Sequence, residues 1–174
     1  LQRETIASRC KIAKLFERWQ NRLIKVFKPQ YSVKVLRNNE SENIADCAVA
    51  KPINYTDIDG EIFELGKLAG IKEPAIDLTI KKSGRSSGIT YSEIIATDVM
   101  LRVELSEREY GLFSDQILAG PMSLPGDSGS LIVTDDNYVV GLLFAGSERA
   151  TLFNRIANVI NLLNIKFRFD DPAN

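Results

Sequence analysis

The chain has 174 residues, 44% of them hydrophobic, and a net charge of −1, which lets it bury roughly 70% of its unfolded surface as one domain or two small barrels sharing an interface. No apolar run approaches the roughly 18 residues of a membrane-spanning helix, and no short hydrophobic segment with a cleavage site opens the chain. Two cysteines, Cys10 and Cys47, and no histidine exclude a disulfide framework and the usual zinc sites. Both cysteines read as buried small residues, with a single bridge between them left open. There is no internal repeat, Walker loop, dinucleotide fingerprint or acidic metal cluster, so no cofactor is expected.

Charge is unevenly placed. Residues 1–37 carry ten Lys/Arg against two Glu, a local excess of eight positive charges, and the remainder carries a net −9. Within this segment Ile12, Leu15, Phe16, Trp19, Leu23, Val26 and Phe27 recur at helical spacing. They read as one buried face; over 9–27 Cys10, Ile12 and Phe16 also fit a strand period broken at Lys14, and the favoured reading is a helix over 14–27 that Pro29 ends. Such a segment can serve nucleic acid or an anionic membrane surface. No nucleic-acid motif accompanies the charge, so the reading is a solvated basic face packed against the acidic remainder, with neither nucleic acid nor membrane as partner.

Residues 31–36 alternate as a strand before a polar turn at 38–43. The run 44–50 is small and apolar apart from Asp46, a carboxylate that is costly there unless something pairs with it. Residues 53–75 are loop-rich, with a short strand at 62–65. From 76 the pattern is plainly β, with strands at 76–80, 89–97, 99–105, 112–118, 130–134 and 138–144. A glycine-bounded turn spans 82–88, and 135–137 forms a three-residue hairpin loop. A short helix at 158–163 and a polar tail after Phe169 follow.

The chemistry concentrates in Pro125-Gly126-Asp127-Ser128-Gly129-Ser130. Two glycines allow the backbone to bend tightly around one serine. The N–H groups of Gly126 and Ser128 then suit an oxyanion that develops as Ser128 attacks a carbonyl. The Gly-x-Ser-x-Gly hydrolase elbow does not fit, because position 130 is serine.

Three segments together resemble the chymotrypsin/trypsin-like serine peptidases of the bacterial-type branch: 44–49 around Asp46, the 82–88 turn, and Gly126-Asp127-Ser128-Gly129-Ser130 with the Val-Val-Gly-Leu-Leu-Phe-Ala-Gly-Ser strand after it. The resemblance covers residues 40–165, and Asp46 precedes Ser128 by 82 residues, in the family's order. It implies an all-β, trypsin-like antiparallel barrel with a short C-terminal helix and an N-terminal amphipathic helix. Residues 1–52 would be the remnant of a first barrel, 53–75 connecting loops, and 76–174 the second barrel. It further implies Ser128 as nucleophile, Asp46 as the group that orients the base, and Gly126 and Ser128 as oxyanion donors. Met122, Phe144, Ala145 and Gly146 would bind substrate, in an uncharged pocket suited to small or medium apolar side chains.

One departure is severe: the general base of this family is a histidine, and the chain has none. A Ser–Lys dyad finds no lysine near Ser128 in sequence. The chain starts at Leu1 rather than Met, which suggests a processed or trimmed product whose histidine lies upstream. On this reading the complete protein is a serine endopeptidase acting on peptides or proteins, and this chain alone is essentially inactive. Its cleaved N-terminal segment, a second copy, or the basic 14–27 helix folded back would cover the incomplete first barrel. The alternative is a trypsin-like scaffold that has lost catalysis and acts as a protein-interaction module.

Overall fold

The computed structural model describes residues 5–7, 10–34, 36–38, 42–54, 56, 58–106 and 109–169. The middle of the 38–43 turn and the C-terminal tail after Phe169 lie outside them. The chain divides into two compact units, one of residues 1–42 with 102–112, the other of residues 43–101 with 113–174.

The first unit contains a short antiparallel pair, β1 (Thr5–Ala7) with β2 (Leu36–Asn38), and helix α1 (Lys11–Phe27). The helix starts three residues earlier than its periodicity suggests and ends before Pro29, where the Lys28 N–H still reaches the Ile24 carbonyl at 2.7 Å. Residues 31–34 are not a strand. The Asn21 side chain accepts from the Val33 N–H at 2.7 Å and donates to its carbonyl at 2.8 Å, so the groups a β-ladder would need are already satisfied. The expectation of a buried helical face is also overturned. No residue of α1 is buried, and Ile12, Trp19 and Phe27 are 78%, 61% and 83% exposed.

In the second unit, the short pieces β4 (Glu61–Ile62) and β5 (Gly66–Lys67) form a hairpin where a single strand was expected. The left-handed backbones of Glu64 and Gly66 turn the chain there. β3 (Glu42–Asn43) and β6 (Gly70–Ile71) join the main sheet, the latter running parallel to the start of β11. That sheet is built from β7 (Thr79–Gly84), β8 (Gly88–Ser106), β9 (Glu109–Ala119), β10 (Leu131–Thr134), β11 (Tyr138–Gly146) and β12 (Thr151–Arg155). Pairings run β10-β7-β8-β9-β12-β11, and β11 pairs with β10 again, so the six strands are hydrogen-bonded in a ring. The outer ends of β8 and β9 belong to the first unit.

Alternation along these strands sends one face inward. Ile80, Ile94, Ile117, Ile132, Val140 and Phe153 meet inside the ring. The two strands expected at 89–97 and 99–105 are one 19-residue strand, β8, with a left-handed residue, Asp98, at the predicted break. Arg155 binds there: its guanidinium reaches Asp98 at 2.7 Å, Asp115 at 3.0 Å and Glu73 at 2.7 Å. α2 (Ile156–Leu163) follows β12 directly and packs Ile156 and Val159 on Val133 and Val139. Asn164 ends it in the left-handed conformation. Cys10 is exposed and Cys47 half-buried, and no disulfide joins them, so the expectation of two buried cysteines fails for Cys10 and is met only in part at Cys47.

Candidate functional site

The loop 124–130 is the last part of the connection 120–130 from β9 to β10, and its backbone is folded onto itself and onto β11. The Asp127 N–H donates to the Leu124 carbonyl, and the Ser130 N–H and hydroxyl both donate to the Asp127 carbonyl. Gly129 donates to the Leu143 carbonyl at 2.7 Å, and Leu143 donates back to Ser130 at 3.0 Å. Gly126 and Gly129 take φ of 101° and 92°, conformations that a side chain would strain. The tip so formed holds Ser128 in solvent. Among the described residues, no acceptor is found for the N–H groups of Gly126 and Ser128.

Beneath the tip lies an ion pair that sequence reading missed. Lys82 and Asp127 are fully buried, with Nζ 3.1 Å from Oδ2. The Lys82 ammonium also donates to Ser87 Oγ at 2.6 Å and to the Gly88 carbonyl at 3.3 Å, so its three protons are all engaged. Asp127 accepts in addition from the N–H groups of Ser86, Ser87 and Leu124 and from the Ser87 hydroxyl. Burial pushes the Asp127 carboxyl up, but the Ser87 hydroxyl, the Leu124 and Ser86 N–H groups and Lys82 outweigh it and hold the group well below the usual carboxylate range. Residues 82–84, expected in a turn, are the end of β7, which is why Lys82 faces inward two places after Ile80. That inward lysine in an alternating run was the legible signal.

Two clefts share Ser128 and Gly129. The first, about 310 Å³, is lined by Asp46, Cys47, Ala48, Leu142, Leu143 and Phe144 besides those two. The second, about 530 Å³, adds Ile62, Ser83, Arg85, Gly126, Ser130 and Leu131. Asp46, half-buried, is held by its backbone. Its N–H donates to Asn154 Oδ1, and its carbonyl accepts from Asn154 Nδ2, each at 2.9 Å. Among the described residues its carboxylate has no cation beside it, so the partner expected for it from sequence is not found among them. Burial, and then the Asp46 charge, push the Cys47 thiol up, which leaves it a poor nucleophile at neutral pH.

Of the predicted substrate-binding residues, Phe144 lines the first cleft, while Ala145 and Gly146 continue β11 against Leu152 and Thr151. Met122 is buried in the ring's core, its backbone held between Thr90 and Thr151. No base for Ser128 is found among these residues, since Lys82 is committed to Asp127 and histidine is absent from the chain.

No family model matches the chain, and no curated protein matches it. Solved structures do. A Nocardiopsis protease matches with a TM-score of 0.53 at 18% identity, over 62% of this chain and 58% of its own. The chymotrypsin of Cellulomonas bogoriensis matches with a TM-score of 0.52 at 18% identity, over 59% of this chain and 55% of its own. This chain thus spans less than two thirds of either protein. At that identity the likeness carries the fold: a strand-rich chain with the architecture of the bacterial chymotrypsin/trypsin-like serine proteases.

Proposed function

We propose that this chain is the nucleophile-bearing part of a serine endopeptidase that acts through an acyl-enzyme, with its general base supplied from outside the chain. Ser128 is the nucleophile, the Gly126 and Ser128 N–H groups receive the oxyanion, and Asp46 orients an imidazole contributed by a segment upstream of Leu1. The observation that carries the reading is that Asp46 and Ser128, 82 residues apart in sequence, line one cleft of about 310 Å³. The buried Lys82–Asp127 pair supports it, because it anchors the loop just before Ser128 from below, at Asp127 itself and at the Leu124 N–H.

Each group has a defined task. Attack by Ser128 Oγ on a peptide carbonyl moves negative charge onto the carbonyl oxygen, which the two N–H groups stabilise. The hydroxyl proton passes to the supplied imidazole, whose cation the Asp46 carboxylate then faces. The same imidazole returns the proton to the leaving amine. Phe144, Ala145 and Gly146 line or continue toward the acyl side, and none of them carries a charge, so small or medium apolar residues are preferred to Lys or Arg.

The chain alone lacks the base, so its peptidase turnover is expected to be on the order of a million-fold below that of the complete protein. The test is to express the protein with its upstream sequence and treat it with a fluorophosphonate. Labelling abolished by Ser128→Ala and reduced by Asp46→Asn supports the assignment. Labelling unaffected by Ser128→Ala, or strong peptidase activity from residues 1–174 alone, overturns it.

A further inference from the structure

We infer that α1 is an interfacial membrane helix that lays this protein on anionic lipid. At 100° per residue its apolar row, from Ile12 to Phe27, spans an arc of about 120°. Lys11, Arg18 and Arg22 flank that arc on one side, with Lys14 and Lys25 further round. Among the described residues nothing buries the row: no residue of the helix is buried, and every large apolar side chain in the row is at least half exposed or nearly so. A face of this kind, with aromatic and aliphatic side chains beside lysine and arginine, inserts its apolar side at the headgroup boundary while the long basic stems reach the lipid phosphates.

The helix lies on a bilayer rather than through it. Seventeen residues make about 26 Å of helix, short of the roughly 30 Å hydrocarbon core, and among the described residues no helix is long and apolar enough to cross. Charge decides between lipid and a second copy of the chain. Glu17 is the helix's single carboxylate, so face-to-face pairing of two such helices would set the flanking cations of each copy against those of the other with almost no counter-charge. An anionic leaflet supplies that counter-charge, worth about 1 kcal/mol for each Lys or Arg near its surface. This inference is independent of the peptidase reading, and it revises the expectation that no membrane is involved, which assumed a buried apolar row.

Trp19 is the chain's sole tryptophan and sits in the middle of the row, so its emission reports the event directly. With phosphatidylcholine vesicles containing 30% phosphatidylserine, the emission should shift to the blue and be quenched by brominated acyl chains. Pure phosphatidylcholine should give little of either, and 0.5 M salt should weaken the response. Arg18→Gln with Arg22→Gln should lower partitioning about thirty-fold, and Leu15→Asp with Leu23→Asp should abolish it, while the thermal melt of the protein stays unchanged because those side chains are solvated. Three results would overturn the inference: no binding to the anionic vesicles; equal binding to neutral ones; or a blue shift without lipid, growing with protein concentration or already present when the upstream sequence is attached.

Discussion

The loop 124–130 and helix α1 both set charge beside apolar surface, and they handle it in opposite ways. In the loop, Asp127 is driven below the surface and every lone pair is met: Lys82, Ser87 and three backbone N–H groups converge on one carboxylate. In the helix nothing is driven anywhere, and apolar row and basic face both remain in solvent. A buried charge that is fully satisfied fixes a geometry, because no alternative arrangement meets the same groups. A solvated amphipathic face fixes nothing until a partner arrives. The first is what a catalytic loop needs, and the second is what a docking surface needs.

The sharpest way to break this comparison is to remove one partner of the buried pair. Lys82→Met leaves Asp127 as an uncompensated buried charge and should cost about 3–5 kcal/mol in urea unfolding, with loss of fluorophosphonate labelling at Ser128 in the complete protein. Lys81→Met, one residue along, where the amine donates to the Asp135 carbonyl at the surface, should change stability by no more than about 0.5 kcal/mol. Equal effects at the two lysines would remove the argument for a braced loop.

Acid attacks the same contact. The Asp127 carboxyl is held below its unfolded value, near 3.9, so the unfolded chain takes up the proton first. The stabilisation from this group is full above about pH 4 and is lost as pH falls toward the folded-state value. Urea titrations between pH 7 and pH 2 should show that loss in the parent protein. Asp127→Asn should show less of it, and an identical acid limb in both would assign the effect to other carboxylates.

Two glycines sharpen the comparison further. A methyl group on Gly84 would lie 2.6 Å from Asp127 Oδ1 and 2.7 Å from Lys82 Nζ, so Gly84→Ala must push the pair apart and should cost about 1–3 kcal/mol. Gly88, at φ 64°, has open space around the same methyl, and Gly88→Ala should cost only the left-handed backbone penalty of about 1 kcal/mol. The smallest effect belongs to the helix: Leu15→Ala should leave the melt within about 0.5 kcal/mol of the parent, because its side chain is 68% exposed. A larger loss would mean that the apolar row is buried in solution.

Period-two alternation located five of the six ring strands and missed β12 (Thr151–Arg155), helical spacing located the terminal helix, and the Gly-Asp-Ser-Gly-Ser run named the candidate nucleophile, because inward side chains and tight glycine turns are local requirements. Periodicity also placed α1 to within three residues. Where it failed, a distant group had intervened. Asn21 took over the hydrogen bonds of Val33, so residues 31–34 did not become a strand. Arg155 drew Asp98 and Asp115 together across β8 and β9, so an apparent gap became a bend in one long strand. The partner of Asp127 was equally out of reach, since Lys82 lies 45 positions away in a segment that reads as a polar turn. Which face a charged residue takes, and whether an amphipathic helix finds anything to cover it, depend on desolvation and on groups brought in from elsewhere in the chain, and those are quantities that only the folded arrangement sets.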